Sequence, residues 1–481
     1  MKVSTQTLKH GNPARLFPIV AESQKEQKTL AIVLSSMVSV RPFAGAILKQ
    51  VDVRVGKRTT VRAFTEVTLT NEVKGLKDRP DAYLTVETGR SSWSALIEAK
   101  VGKQTVESDQ LERYVELAKA NSIDAVITIT NELAPDPTII PTPMLKQIPK
   151  GVTLFHLSWS AILTQAFLLV SAKDDPFQND DEAFIVGELV RYLEHPNSGR
   201  LPMDAMSKEW PKIVADIQAR HPIQPKSPDI QEMITSWHQE ARDVALLMTR
   251  KLGEATTLSI SRGELANPKG WVDEEAKRFC ERNELEFQLD VPNAAGKIDI
   301  VADFLRRSIS VRMKINAPMD RASNSAKLNW LLRQLSKSEK ERVVILCITK
   351  GKGHNFGALA DEIDPKSDEI KGLSDVASFR VEMSSDLGAK FNSRKKFIEG
   401  LEALVPEFYI NVGQHLQSWV APPPKIRKET IEPAQVEKSG ARSSTSEEGA
   451  LGNGSEIVDS PATDQVRPAW VQSWQWQEKS E

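Results

Sequence analysis

Cysteine is nearly missing from this chain. Its 481 residues include only Cys280 and Cys347. That is too few for a disulfide framework and too far apart for a metal finger, and it points to a reducing compartment. A run of about 18 apolar residues, the length of a membrane span, is also missing, so no membrane partner is expected. The first residues, MKVSTQTLKHGNPARLF, hold no apolar stretch of the kind a secretory signal carries. A cytoplasmic location is the expectation. Neither charge is in excess: 63 Lys and Arg against 65 Asp and Glu give a formal net charge of −2. No global basic field announces nucleic acid, although a local basic groove is compatible with that balance.

What is present is a globular composition, 40% hydrophobic and 27% charged, at a length that suits two or three domains. The expected organisation is an α/β domain over residues 1–202, a connector with a long helix over 203–254, a second α/β domain over 255–420, and a disordered tail over 421–481 rich in Pro, Ser, Gly and charge. In the first domain, residues 22–40 read as a helix, with Leu30, Val33, Leu34 and Met37 at its period. KQVDVRV (49–55) and TVRAFTEVTL (60–69) read as strands. AYLTVE and WSALIEAKV follow as a strand pair around the turn TGRSS. A helix is expected over about 108–121. SIDAVITITNE reads as a strand buried on both faces, VTLFHLSW as another strand, and two further helices close the block. Together these make an α+β-like mixed sheet with helices on its faces. Farther on, Ser227 and Pro228 are placed to start the long helix.

Three ionisable residues sit oddly in the strand pair. Alternation puts Leu96, Glu98 and Lys100 on one face of WSALIEAKV. Asp81 begins the partner strand, so a hairpin brings it close to Glu98. Two converging carboxylates repel unless a hard cation such as Mg²⁺ or Mn²⁺ lies between them. Lys100 beside that ion can orient or deprotonate a water, or stabilise the charge of a phosphorane. Acid, acid and base at adjacent strand ends suit phosphodiester hydrolysis.

Pro80-Asp81, followed by Glu98-Ala99-Lys100, resembles the motif of the PD-(D/E)xK nuclease superfamily, whose fold is restriction-endonuclease-like. The flanking elements resemble its core as well. The helix before the first core strand offers Glu26, with Glu22 second, as a further acid. Gln110 and Tyr114 match the family's QxxxY pair on the helix after the lysine. The resemblance covers roughly residues 20–200, and its short motif alone has little specificity. It implies a metal-dependent endonuclease. Asp81 and Glu98 would be the metal ligands, aided by Glu26 and the Ala99 carbonyl, Lys100 would be catalytic, and Gln110 and Tyr114 would bind substrate. DNA is preferred over RNA because most of the superfamily acts on DNA. Phage defence or DNA repair is the setting it suggests.

The same residues have plainer uses. Glu98 and Lys100 can form a surface ion pair worth little, Asp81 can be a turn residue after Pro80, and Glu26 can be solvated. His156 and Trp159 are expected to pack the sheet. In the second α/β region Asp299 aligns with Asp81 and Lys314 with Lys100, but Arg312 takes the place of Glu98. That region reads as a degenerate, metal-free copy serving substrate binding or homo-oligomerisation. Arg321, Lys327, Arg333, Lys337, Lys340 and Arg342 offer it a phosphate-binding surface or simply a solvated helix face. Trp470, Trp474 and Trp476 at the end of the tail suggest a docking motif for a protein partner. The rival to a nuclease is a non-catalytic scaffold of inactive nuclease-like modules that binds nucleic acid or protein.

Overall fold

The computed structural model describes residues 8–17, 24–71, 79–89, 91–141, 150–351 and 353–420. Glu22 and the Trp-bearing tail lie outside the described residues, so the expectations for them stand as stated.

The chain opens with β1 (Leu8–Pro13), α1 (Lys25–Ser39) and α2 (Arg41–Lys49). Next come β2 (Thr60–Leu69), β3 (Ala82–Glu87), β4 (Ser92–Ala99) and α3 (Ser108–Ala120). β5 (Ala125–Thr130), β6 (Thr153–Ser158), α4 (Trp159–Val170) and α5 (Asp180–Glu194) complete the first layer set. Its six strands lie in the order β1-β2-β3-β4-β5-β6. The first four pair antiparallel, and β4-β5-β6 run parallel. This is the mixed sheet expected. β5 is buried along its whole length, as a parallel strand covered on both faces must be.

One expected strand is absent. Residues 49–55 form the end of α2 and a turn. Pro42 sits in the first turn of α2, and Phe43, Ala44, Ile47 and Leu48 are its buried stripe. Helical spacing there outweighs the short alternation of KQVDVRV.

The second part begins with α6 (Trp210–Gln218) and α7 (Pro228–Leu252). β7 (Thr257–Leu258), α8 (Arg262–Ala266), α9 (Pro268–Arg282), β8 (Glu284–Asp290), β9 (Ile298–Asp303) and β10 (Ser308–Asn316) follow. The last elements are α10 (Asn324–Gln334), β11 (Val344–Thr349), β12 (Phe356–Leu359), α11 (Asp368–Gly372), β13 (Val376–Asp386) and α12 (Arg394–Asn411). Residues 203–227 are more than a connector. Trp210 of α6 is fully buried, and its ring packs against Phe304, Phe391 and Phe397 at centroid distances of 4.7, 5.6 and 4.3 Å. Burying one such side chain contributes on the order of 2–3 kcal/mol.

The second sheet has the order β12-β11-β13-β10-β9-β8-β7, and every pair is antiparallel. It is therefore not a strand-for-strand copy of the first. β4 pairs directly with β5, but β13 lies between β10 and β11. β11 alternates in burial and is not covered on both faces, the pattern of an antiparallel sheet with one wet face. α7 ties the two parts together. Ile230, Met233, Ile234 and Trp237 join the core of the second sheet, while Leu246 packs on Leu133 and Ala161.

Candidate active site

The hairpin register decides the geometry. β3 and β4 pair Ala82 with Ile97, so one step outward sets Asp81 opposite Glu98. Asp81 Oδ2 accepts a hydrogen bond from the Ala99 N–H at 2.9 Å. Glu98 is 2% exposed. Its Oε1 accepts from Lys100 Nζ at 2.5 Å and from Gln110 Nε2 at 2.8 Å. Its Oε2 is buried and has no hydrogen-bond partner. Lys100 Nζ also donates to the Ala99 carbonyl at 2.9 Å and to Glu26 Oε1, in the first turn of α1, at 3.3 Å. The structure thus brings Glu26, Asp81, Glu98 and Lys100 into one cluster.

Gln110 and Tyr114 lie one turn apart on α3, behind that cluster. The Gln110 amide spans Glu98 and the Tyr114 hydroxyl, the latter at 3.2 Å, and Tyr114 donates in turn to the Arg79 carbonyl at 3.1 Å. Tyr114 is 2% exposed. These two residues hold Glu98 and the entry to β3 in place from behind.

Burial and the neighbouring Glu98 charge push the Asp81 carboxyl up to about 8. Glu26 is raised too, by burial, against the pull of Lys100. Burial alone would lower Lys100, but its bond to Glu98 and the charges of the three carboxylates reverse this and hold it above its ordinary value. Lys100 is an ammonium here.

The donor set fits a hard divalent cation. Asp81, Glu98 and the Ala99 carbonyl supply oxygens, and the orphaned Glu98 Oε2 is an acceptor with no donor. The lysine ammonium is already gathered by three oxygens, as a cation would be. Among the described residues, no three His, Cys, Asp or Glu side chains group so as to hold a metal by themselves. Two carboxylates completed by a carbonyl and waters are what Mg²⁺ takes.

The supports of the lysine were not legible in the sequence. Lys100 N–H donates to the Ile129 carbonyl at 2.8 Å, and the Lys100 carbonyl accepts from Trp159 Nε1 at 2.8 Å. Trp159 therefore positions the site as well as packing it; its place at the β6–α4 junction is the only signal. His156 does pack the sheet. It is 3% exposed, its Nε2 lies 2.9 Å from the Glu132 carbonyl, and its Nδ1 lies 2.9 Å from Thr128 Oγ1. Burial lowers it to about 4.

The second sheet offers no matching site. Asp299 accepts from Gln288 Nε2 at 2.7 Å and lies in register with Arg312, while Lys314 is exposed beside Arg380. The basic series near α10 is not a continuous free surface. Lys327 is 5% exposed, paired with Asp375 and the Val376 carbonyl, and Arg342 pairs with Glu407.

Comparison of the chain with protein-family models, curated proteins and solved structures finds no match. Among the described residues, no single helix is long and apolar enough to cross a membrane.

Proposed function

We propose that the cluster of Asp81, Glu98 and Lys100 hydrolyses phosphodiester bonds with a bound divalent cation, acting as an endonuclease on DNA. The observation that carries this reading is the buried Glu98 carboxylate, with one oxygen left without a hydrogen bond, close enough to Asp81 to push its carboxyl up. A desolvated carboxylate oxygen without a donor is costly, and a cation relieves both that cost and the repulsion from Asp81. Asp81, Glu98 and the Ala99 carbonyl would hold Mg²⁺ or Mn²⁺, which would supply Lewis acidity toward the phosphodiester.

The chain's own groups do the rest. The Ala99 N–H fixes the Asp81 carboxylate, and Gln110 fixes that of Glu98. Lys100, kept protonated by its neighbours, orients the attacking water and offsets the charge that builds on the phosphorane oxygens. Glu26 holds the ammonium from the other side. DNA as substrate, and phage defence or repair as the setting, rest on the resemblance of Pro80-Asp81, Glu98-Ala99-Lys100 and the Gln110–Tyr114 pair to PD-(D/E)xK nucleases.

The test is cleavage of plasmid, linear and single-stranded DNA, and of RNA, by wild type, Asp81→Ala and Lys100→Ala, each with Mg²⁺, Mn²⁺ or chelator. Metal-dependent cutting of DNA by wild type is expected, falling at least about 10²-fold in both variants with unchanged circular dichroism. Lys100→Ala cutting at the wild-type rate would sink the assignment. Absence of both cutting and metal binding would favour the non-catalytic scaffold.

A further inference from the structure

A cavity of about 250 Å³ lies between α7, α9 and the β7–β8 edge of the second sheet, and none of its wall belongs to the acidic cluster described above. His238 of α7 and Glu275 of α9 meet at its wall, Nε2 to Oε2, at 2.6 Å, and each is more than nine-tenths buried. The indole of Trp271 stacks on the His238 ring, with centroids 3.9 Å apart and planes inclined by 19°. The other carboxylate oxygen, Glu275 Oε1, is buried and has no hydrogen-bond partner. A buried acceptor in that state calls for a donor, and this cavity, larger than the small neighbouring one that Glu275 also lines, has room for one.

The rest of the wall narrows the chemistry. Glu264 and Glu286 add two carboxylates, and Arg278 is the one guanidinium. Acid exceeds base, so the cavity favours a cation. Trp271 and Phe287 contribute aromatic surface, which suits an organic cation better than a strongly hydrated metal ion. An N–H of a bound cation would satisfy the unpaired oxygen, and a quaternary ammonium has none to offer. At about 30 Å³ per water the space equals roughly eight waters, enough for an amine of agmatine's size.

We infer that this cavity binds a small organic amine or guanidine through Glu275 Oε1, against the aromatic wall of Trp271 and Phe287. The site is separate from the proposed nuclease centre and does not depend on it.

Calorimetric titration of the full chain with agmatine, putrescine and tetramethylammonium tests this at fixed salt. Agmatine or putrescine should bind 1:1, and tetramethylammonium at least about tenfold more weakly, the loss expected for one charge-assisted hydrogen bond. Glu275→Gln should weaken the amine by a similar factor, while Asp361→Asn, an exposed carboxylate just after β12, should leave it unchanged. No binding of either amine at millimolar concentration overturns the proposal. So does equal affinity for tetramethylammonium, a comparison that needs no variant to fold. Equal binding by a folded Glu275→Gln would mean only diffuse attraction to acidic surface and would also overturn it.

Discussion

Asp81 is under electrostatic strain in the candidate site. Its carboxyl is pushed to about 8 by burial and by Glu98, so without a cation it keeps its proton at neutral pH. Binding a divalent ion must expel that proton. Affinity for Mg²⁺ should therefore rise with pH and level off above about 8, with a slope approaching tenfold per pH unit below that value. Calorimetry at pH 6, 7, 8 and 9 measures this, and a flat profile would remove Asp81 from the ligand set. Gln110 acts through Glu98. Gln110→Ala should lower metal affinity about 10- to 100-fold, as loss of a partner behind a ligand does, while sparing the fold. The acids and the lysine were legible because strand alternation alone sets Glu98 and Lys100 on one side. That Gln110 grips Glu98 while Tyr114 turns to the Arg79 carbonyl depends on how α3 lies across the sheet, which helical spacing does not contain.

The end of β4 is where elements converge on the site. β5 takes the Lys100 N–H, and the first residue of α4, Trp159, takes its carbonyl. Trp159→Phe keeps an aromatic ring but loses the N–H and part of a fully buried indole. It should cost about 2–3 kcal/mol, read as a lower denaturant midpoint, with reduced cleavage because Lys100 loses one of its two backbone anchors. Gly199 closes the same corner. It has φ +84°, and a Cβ there would stand 2.7 Å from the Cβ of Val101, so a side chain would push on the segment leaving Lys100. Element identity was readable where the periodic signal was long, as in α1, α3, β5 and α7. It failed at α2, where a short alternating tail masked a helix opened by Pro42. β13 was not expected, although Phe379, Val381 and Met383 alternate with Arg380 and Glu382 as a half-buried strand should.

At the scale of the whole molecule, α7 carries buried acids as well as core. Glu240 is fully buried with neither oxygen partnered, and Asp243 and Glu402 stand near it. Arg250 anchors the same helix to Thr164 of α4 at 2.8 Å. Burial and the Asp243 charge raise Glu402 to about 7, against the pull of Arg250. A carboxyl raised in this way holds a proton in the fold that the unfolded chain has lost. Its contribution is favourable at low pH and disappears as pH rises from about 4.5 through about 7. In chelator, the share of Glu402 in the pH dependence of the melting temperature should therefore be a fall between pH 5 and 8, and Glu402→Gln should remove that share. Parallel melting curves for wild type and Glu402→Gln across that range measure this, and identical slopes would show that Glu402 is ionised throughout.

The sequence by itself determined the local terms: strand alternation that pairs Glu98 with Lys100, the continuous apolar run of β5, the long stripe of α7, and a motif that places an acid opposite an acid. These are properties of period and spacing, and period is written along the chain. Only the tertiary structure decided what depends on distant segments. It set β13 between β10 and β11, which separates the second sheet from the first in topology. It turned residues 203–227 into part of a core around Trp210. It spent Lys327 and Arg342 on carboxylates instead of leaving them to a phosphate surface. It also left one oxygen of Glu98 and one of Glu275 buried without donors. Burial and hydrogen-bond satisfaction are set by which elements meet, and no window of sequence holds that information.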